Sequence, residues 1–155
     1  MNKLLSLATA ALLTLPLPTP ARASVSAPPV IVALTQVPCQ FLESEHGQDH
    51  GYRSTNIKDC EAINARTAGA RLQTAKTLEL KPGKYIFRVT NRNVPYELGF
   101  WLRGAGIAGR VTLPSVSGGG LLPGKTQDYA IELTPGEYMY SCPLNTTPDY
   151  KLVVK

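Results

Sequence analysis

The sequence predicts an all-β Greek-key sandwich of about seven strands, carrying one short helical insertion. Three observations lead there. Apolar and polar residues alternate with a period of two in several short runs, among them Tyr85-Ile86-Phe87-Arg88-Val89 and Tyr138-Met139-Tyr140-Ser141-Cys142. Turn dipeptides separate the runs, as at Pro82-Gly83, Pro123-Gly124 and Pro135-Gly136. A single stretch, from about residue 40 to 74, breaks the alternation and contains a helical period.

Met1 to Ala23 has the layout of a secretory signal peptide. Lys3 supplies the positive start, Leu4 to Leu17 the apolar segment, and Ala21-Arg22-Ala23 the small-residue cleavage site. The apolar run is short and interrupted by Pro16, Pro18 and Pro20, which disfavours a membrane span. The expected mature chain starts at Ser24, in the periplasm or secreted, with no span after cleavage. Without Lys3 and Arg22 the formal charge falls from +5 to +3. The remaining basic residues are scattered, so no nucleic-acid tail is expected. One domain, residues 30–155, follows a Ser/Ala/Pro linker at residues 24–29.

Val30 to Thr35 is β-rich and suits a first strand, with Cys39 just beyond it. The insertion then opens with Glu43-Ser44-Glu45-His46-Gly47-Gln48-Asp49-His50-Gly51. Both histidines of the chain stand there beside three carboxylates, a donor mixture suited to Zn, Cu or Fe. Gly47 and Gly51 oppose a helix, and a solvated polar loop is the competing expectation. Helical character begins later. Asn56 or Asp59 can cap a helix, Ile57, Cys60, Ile63 and Thr67 fall near one face, and Gly69 can end it.

Strands resume at Leu78 and Leu80. Tyr85, Phe87 and Val89 share one face of the next strand, and Tyr96, Leu98, Phe100 and Leu102 one face of the strand after it. Gly104 to Leu122 is Gly-rich, with Val111-Thr112-Leu113 as a short strand inside it. Gly119 to Thr126 matches the G-x-x-x-x-G-K-[ST] pattern of phosphate-cradling loops, but that loop must lead into a helix. Asp128 to Leu133 instead alternates like a strand, so nucleotide binding is set aside.

The C-terminal stretch carries the most specific signal. Tyr138, Tyr140 and Cys142 alternate up to a Pro/Asn/Thr-rich loop, after which Leu152 and Val154 resume the alternation. A strand ending in Cys, a short loop and a return strand resembles the cupredoxin family, and its EfeO-type cupredoxin-like branch most of all. Pro123-Gly124-Lys125-Thr126 fits the turn that cupredoxins place before the preceding strand. The copper ligands depart from the family pattern. Asn145 stands where a His is expected, Tyr150 near the Met position, and Tyr96 or Glu97 where the first His belongs. A blue-copper site needs two imidazoles and a thiolate, so none is expected.

The EfeO-type resemblance implies a thiolate-and-carboxylate metal site holding a copper or iron ion. Cys142 and Glu97 are its candidate ligands, with His50 or Cys39 completing the set. Glu97 as a surface carboxylate beside Arg103 is the competing expectation. Three cysteines leave one over. Cys39 with Cys60 would pin the insertion to the sandwich and keep Cys142 as a ligand. Cys39 with Cys142 would join two positions that the resemblance places close together. The first pairing is favoured, because the insertion has few apolar residues to hold it down and closing a loop of roughly 20 residues contributes about 3 kcal/mol in the chain-entropy model.

No catalytic constellation stands out, and no enzyme is expected. The function classes left are a metal-binding module in iron or copper handling, a metal-free adaptor or accessory protein for another periplasmic protein, and, least supported, an electron-transfer cupredoxin.

Overall fold

The computed structural model describes residues 27–155; the expected signal peptide and the start of the linker lie outside the described residues. Among the described residues, nine strands form two packed sheets. One has the order β2-β1-β4-β7: β1 is Val30–Val37, β2 Gln40–Phe41, β4 Gly83–Asn91 and β7 Thr126–Leu133. The other has the order β3-β9-β8-β5-β6: β3 is Leu78–Leu80, β5 Leu98–Gly104, β6 Val116–Leu121, β8 Gly136–Ser141 and β9 Tyr150–Val154. β1 runs parallel to β4 and β3 parallel to β9, while the other ladders are antiparallel.

The alternation seen in the sequence becomes the core. Tyr85, Phe87 and Val89 of β4, Leu98, Phe100 and Leu102 of β5, and Tyr138 and Tyr140 of β8 all point inward and are buried. Phe41, Phe100 and Tyr140 meet at 5.7–6.3 Å between ring centroids, packing Phe41 edge-on against the other two. Such contacts add about 0.5–1.5 kcal/mol per pair beyond area burial.

The insertion departs from expectation in detail. Its helix α1 runs from Ile57 to Thr74, straight through Gly69, and stops only where Ala75 turns extended. Its start is as expected. Asn56 Oδ1 accepts the Lys58 N–H at 2.9 Å, and Asp59 reaches back to the Asn56 N–H at 3.3 Å. Cys60, Asn64 and Arg71 are the residues it buries, so its inward face is polar rather than apolar. It is held down by a disulfide and hydrogen bonds instead of a hydrophobic stripe.

Val111-Thr112-Leu113 is not a strand. Gly106–Thr112 forms a short helix, α2, and Leu113 caps its end. Backbone approach decides this. A Cβ on Gly104 would lie 2.1 Å from the Gly109 carbonyl oxygen, so the chain folds back on itself where only glycine fits. β6 comes after α2 and contains Gly118, Gly119 and Gly120, which give no alternation to read.

Candidate functional site

The site forms where the hairpin after β1, the start of β5, the end of β8 and the first turns of α1 meet. Pro38 and Cys39 make the β1–β2 corner, and Cys39 takes a left-handed backbone with φ 67°. A non-glycine residue in that region costs about 1–2 kcal/mol. Here the Cys39 side chain is used: it forms a disulfide with Cys60 of α1, as the favoured pairing anticipated. Cys142 is left as a free, fully buried thiol.

Asn145 organises the surroundings and is itself fully buried. Its Oδ1 accepts the Cys39 N–H at 2.9 Å, and its Nδ2 donates to the Val37 carbonyl at 2.9 Å. Its own N–H donates to the Cys142 sulfur at 3.3 Å. The Gly99 N–H donates to the same sulfur at 3.4 Å. Gln36, also fully buried, spans the gap from β1 to β5 by donating to the Gly99 carbonyl at 2.8 Å. The Cys60 sulfur lies 3.3 Å from Asn145 Oδ1. A disulfide sulfur carries no proton, so this is a packing contact. On the other flank the Tyr96 hydroxyl lies 3.9 Å from the Cys60 sulfur and 3.0 Å from Ser54 Oγ.

Tyr96 and Asn145 therefore both contact the disulfide, whereas Glu97, the other residue expected to stand near the first histidine position, does not face this pocket. Burial pushes the Cys142 thiol up from its ordinary range, against the lowering effect of the Gly99 and Asn145 N–H groups. Burial likewise raises the Tyr96 phenol. At neutral pH the pocket holds a protonated thiol, a neutral phenol, an amide and a disulfide. Among the described residues Cys142 is the one thiol left there, and no imidazole, carboxylate or second thiolate donor joins it, so the set does not fit a copper or iron ion.

The expected ligand set of Cys142, Glu97 and His50 is not brought together, because Glu97 and His50 are engaged elsewhere. Glu97 precedes β5 in phase with the outward-facing Trp101, is exposed, and accepts the Gly120 N–H at 2.7 Å. Nor does it sit against Arg103, whose guanidinium pairs with Asp149 at 2.6 Å and stacks on Trp101 at 3.9 Å. His50 stands with its Nε2 2.6 Å from a Glu45 oxygen and its ring stacked on Tyr52 at 5.3 Å. Cys39, the other completing candidate, is used in the disulfide. Among the described residues, no three His, Cys, Asp or Glu side chains converge to hold an ion.

A second buried cluster adjoins the disulfide. Glu45, only 6 % exposed, takes hydrogen bonds from Arg71 Nε at 3.0 and 3.1 Å and from Arg71 Nη2 at 2.6 Å. The Tyr150 hydroxyl donates to the same carboxylate. Arg71 also donates to the Cys39 carbonyl at 3.1 Å, as does Asn64. Burial would raise the Glu45 carboxyl, but the bonds from Arg71, Tyr150 and His50 hold it below the ordinary range. Burial and the Glu45 charge push the Tyr150 phenol strongly up. Tyr150 thus helps to anchor the insertion. Glu45, read in the sequence as a metal donor or a solvated loop carboxylate, is instead bound by Arg71 and Tyr150. Patterning missed Asn64 and Arg71, although both share the helical face set by Cys60 and Thr67.

No family model matches the chain, and no curated protein does. Among solved structures, auracyanin B aligns over 84 % of this chain and 93 % of its own, at 13 % identity and a TM-score of 0.51. An oxidised amicyanin mutant aligns over 85 % and 87 %, at 13 % identity and a TM-score of 0.43. Reduced rusticyanin aligns over 81 % and 76 %, at 20 % identity and a TM-score of 0.43. At such identities, the likeness to auracyanin B shows the fold alone, a cupredoxin-like β-sandwich.

Proposed function

We propose that the chain is a metal-free cupredoxin-fold accessory module, acting by contact with another protein outside the cytoplasm. The observation that carries this is the Cys39–Cys60 disulfide packed between Asn145, where the resemblance expects one histidine, and Tyr96, one of the two candidates for the other position. Side chains that would face an ion instead face a covalent cross-link. The outer compartment is supported by the signal-type sequence at Met1 to Ala23 and by the buried disulfide, a feature of oxidising environments. No described helix is long and apolar enough to cross a membrane.

The competing reading is the thiolate-and-carboxylate module for copper or iron implied by the EfeO-type resemblance. It requires Glu97 to leave the Gly120 N–H, His50 to leave Glu45, and a buried thiol to ionise. Titration with Cu(II) tests the thiolate-bound copper form of that reading. The metal-free reading expects no intense visible band from thiolate-to-copper charge transfer. An intense band that disappears in Cys142→Ser would overturn it.

A further inference from the structure

We propose that the outer edge of β1 pairs with the same edge of a second copy of this chain, joining two four-stranded sheets across a two-fold axis. β2 covers only the end of β1, through Gln36 and Val37. Thr35 shows which way the backbone points. Its N–H donates to Glu43 Oε2 at 2.6 Å and its carbonyl accepts the Leu42 N–H at 3.0 Å, both on the side away from β4. Strand geometry gives alternate residues the same direction, so Ala33 and Ile31 also aim their N–H and C=O groups outward. Among the described residues those groups have no partner.

An open edge of this kind is normally protected by charge, proline or a bulge. β7, at the far side of the same sheet, carries Asp128 and Glu132, and β3 carries Glu79. Val30-Ile31-Val32-Ala33-Leu34 carries no charge, and Val30 and Ile31 are about half exposed. Pro28 and Pro29 lack an N–H and end the ladder just before Val30.

Self-pairing fits this segment. An antiparallel two-fold through Val32 sets each Ile31 opposite the partner's Ala33, and both residues have their backbone groups on that side. Reciprocal N–H to C=O bonds then close the edge, and no like charges meet. A second copy brings the same uncharged run, matched in length and with its two free residues in phase. Only Ile31 and Ala33 of each copy offer free outward backbone groups, so the contact is small and association is weak and depends on concentration.

Sedimentation of the full chain from about 1 µM to about 1 mM tests this, a range that spans weak dissociation constants. The expected result is a shift from monomer to dimer, weakened at least about tenfold in Ile31→Pro, Ala33→Pro and Ile31→Lys. A monomer throughout, or folded variants that associate like the wild type, would overturn the proposal. If the proline variants fail to fold, amide exchange of the wild type decides. Ile31 and Ala33 should gain protection with concentration, while Val32 and Leu34, bonded to β4, are protected throughout. Exchange at Ile31 and Ala33 that ignores concentration would equally overturn it.

Discussion

Unfolding in urea of a Cys39→Ala, Cys60→Ala double variant is expected to show a loss of about 2–4 kcal/mol against the wild type. The cross-link spans a sequence separation of 21, for which loop closure alone accounts for about 3 kcal/mol. Two native features argue against a smaller effect. Cys39 occupies a left-handed corner that it shares with no glycine, and without the bond nothing covalent offsets that strain. The helix it anchors buries Cys60, Asn64 and Arg71, not an apolar stripe, so hydrophobic burial cannot replace the link. The double variant is preferred to either single one, because a lone Cys39 or Cys60 could pair with Cys142. A loss under about 0.5 kcal/mol would mean that the hydrogen bonds of Asn64 and Arg71 already hold α1 in place.

Arg71→Met is expected to cost about 3–5 kcal/mol, the range for removing one partner of a buried ion pair. The guanidinium ties together Glu45, the Cys39 carbonyl and Asn64, and its loss strands the Glu45 carboxylate with only Tyr150 and His50. The pH dependence gives an independent check. Because the folded Glu45 carboxyl is held below its ordinary value near 4.5, its contribution is fully present above that value and is lost as pH falls through the folded one. In Arg71→Met the stranded carboxyl favours protonation, so acid should relieve rather than add to the defect. Denaturation followed from neutral pH to below about pH 4.5 should therefore show the gap between the two proteins narrowing. A gap that stays constant would mean that Arg71 acts by packing over Tyr52, where its guanidinium lies 5.1 Å from the ring centroid, and not through Glu45.

These two effects also mark what the chain discloses in sequence and what it does not. Period-two alternation located the inward faces of β4, β5, β7 and β8, since successive side chains on a strand point to opposite faces of the sheet. The Cys39–Cys60 link was legible because it needed only a helical face and an apolar deficit. Patterning failed at β6, where three glycines carry no side-chain signal, and at α2, where Val111 and Thr112 have strand propensity but sit in a helix set by the Gly104–Gly109 approach. Gly69 stays within α1 because tertiary bonds on either side of it, from Asn64 and Arg71, outweigh its propensity cost of about 1 kcal/mol. Glu45 was expected in a loop, either among metal donors or solvated. Its burial depends on Arg71, 26 residues away, and on Tyr150, 105 away, and no local pattern encodes that. Asn145 was singled out only as a missing histidine. Its work as a bridge between Cys39, Val37 and Cys142 comes from three segments meeting in space.

In the proposed metal-free module, Cys39 and Cys60 form a disulfide and Cys142 remains a buried thiol with no ion bound to it. Native mass spectrometry of the protein isolated from its own compartment, without added metal, reads both features at once. The expected mass is that of the bare chain lighter by two hydrogens, with a single thiol that reacts with an alkylating reagent only after unfolding. A bound copper, iron or zinc ion that is absent from Cys142→Ser, or a mass showing all three cysteines reduced, would contradict it.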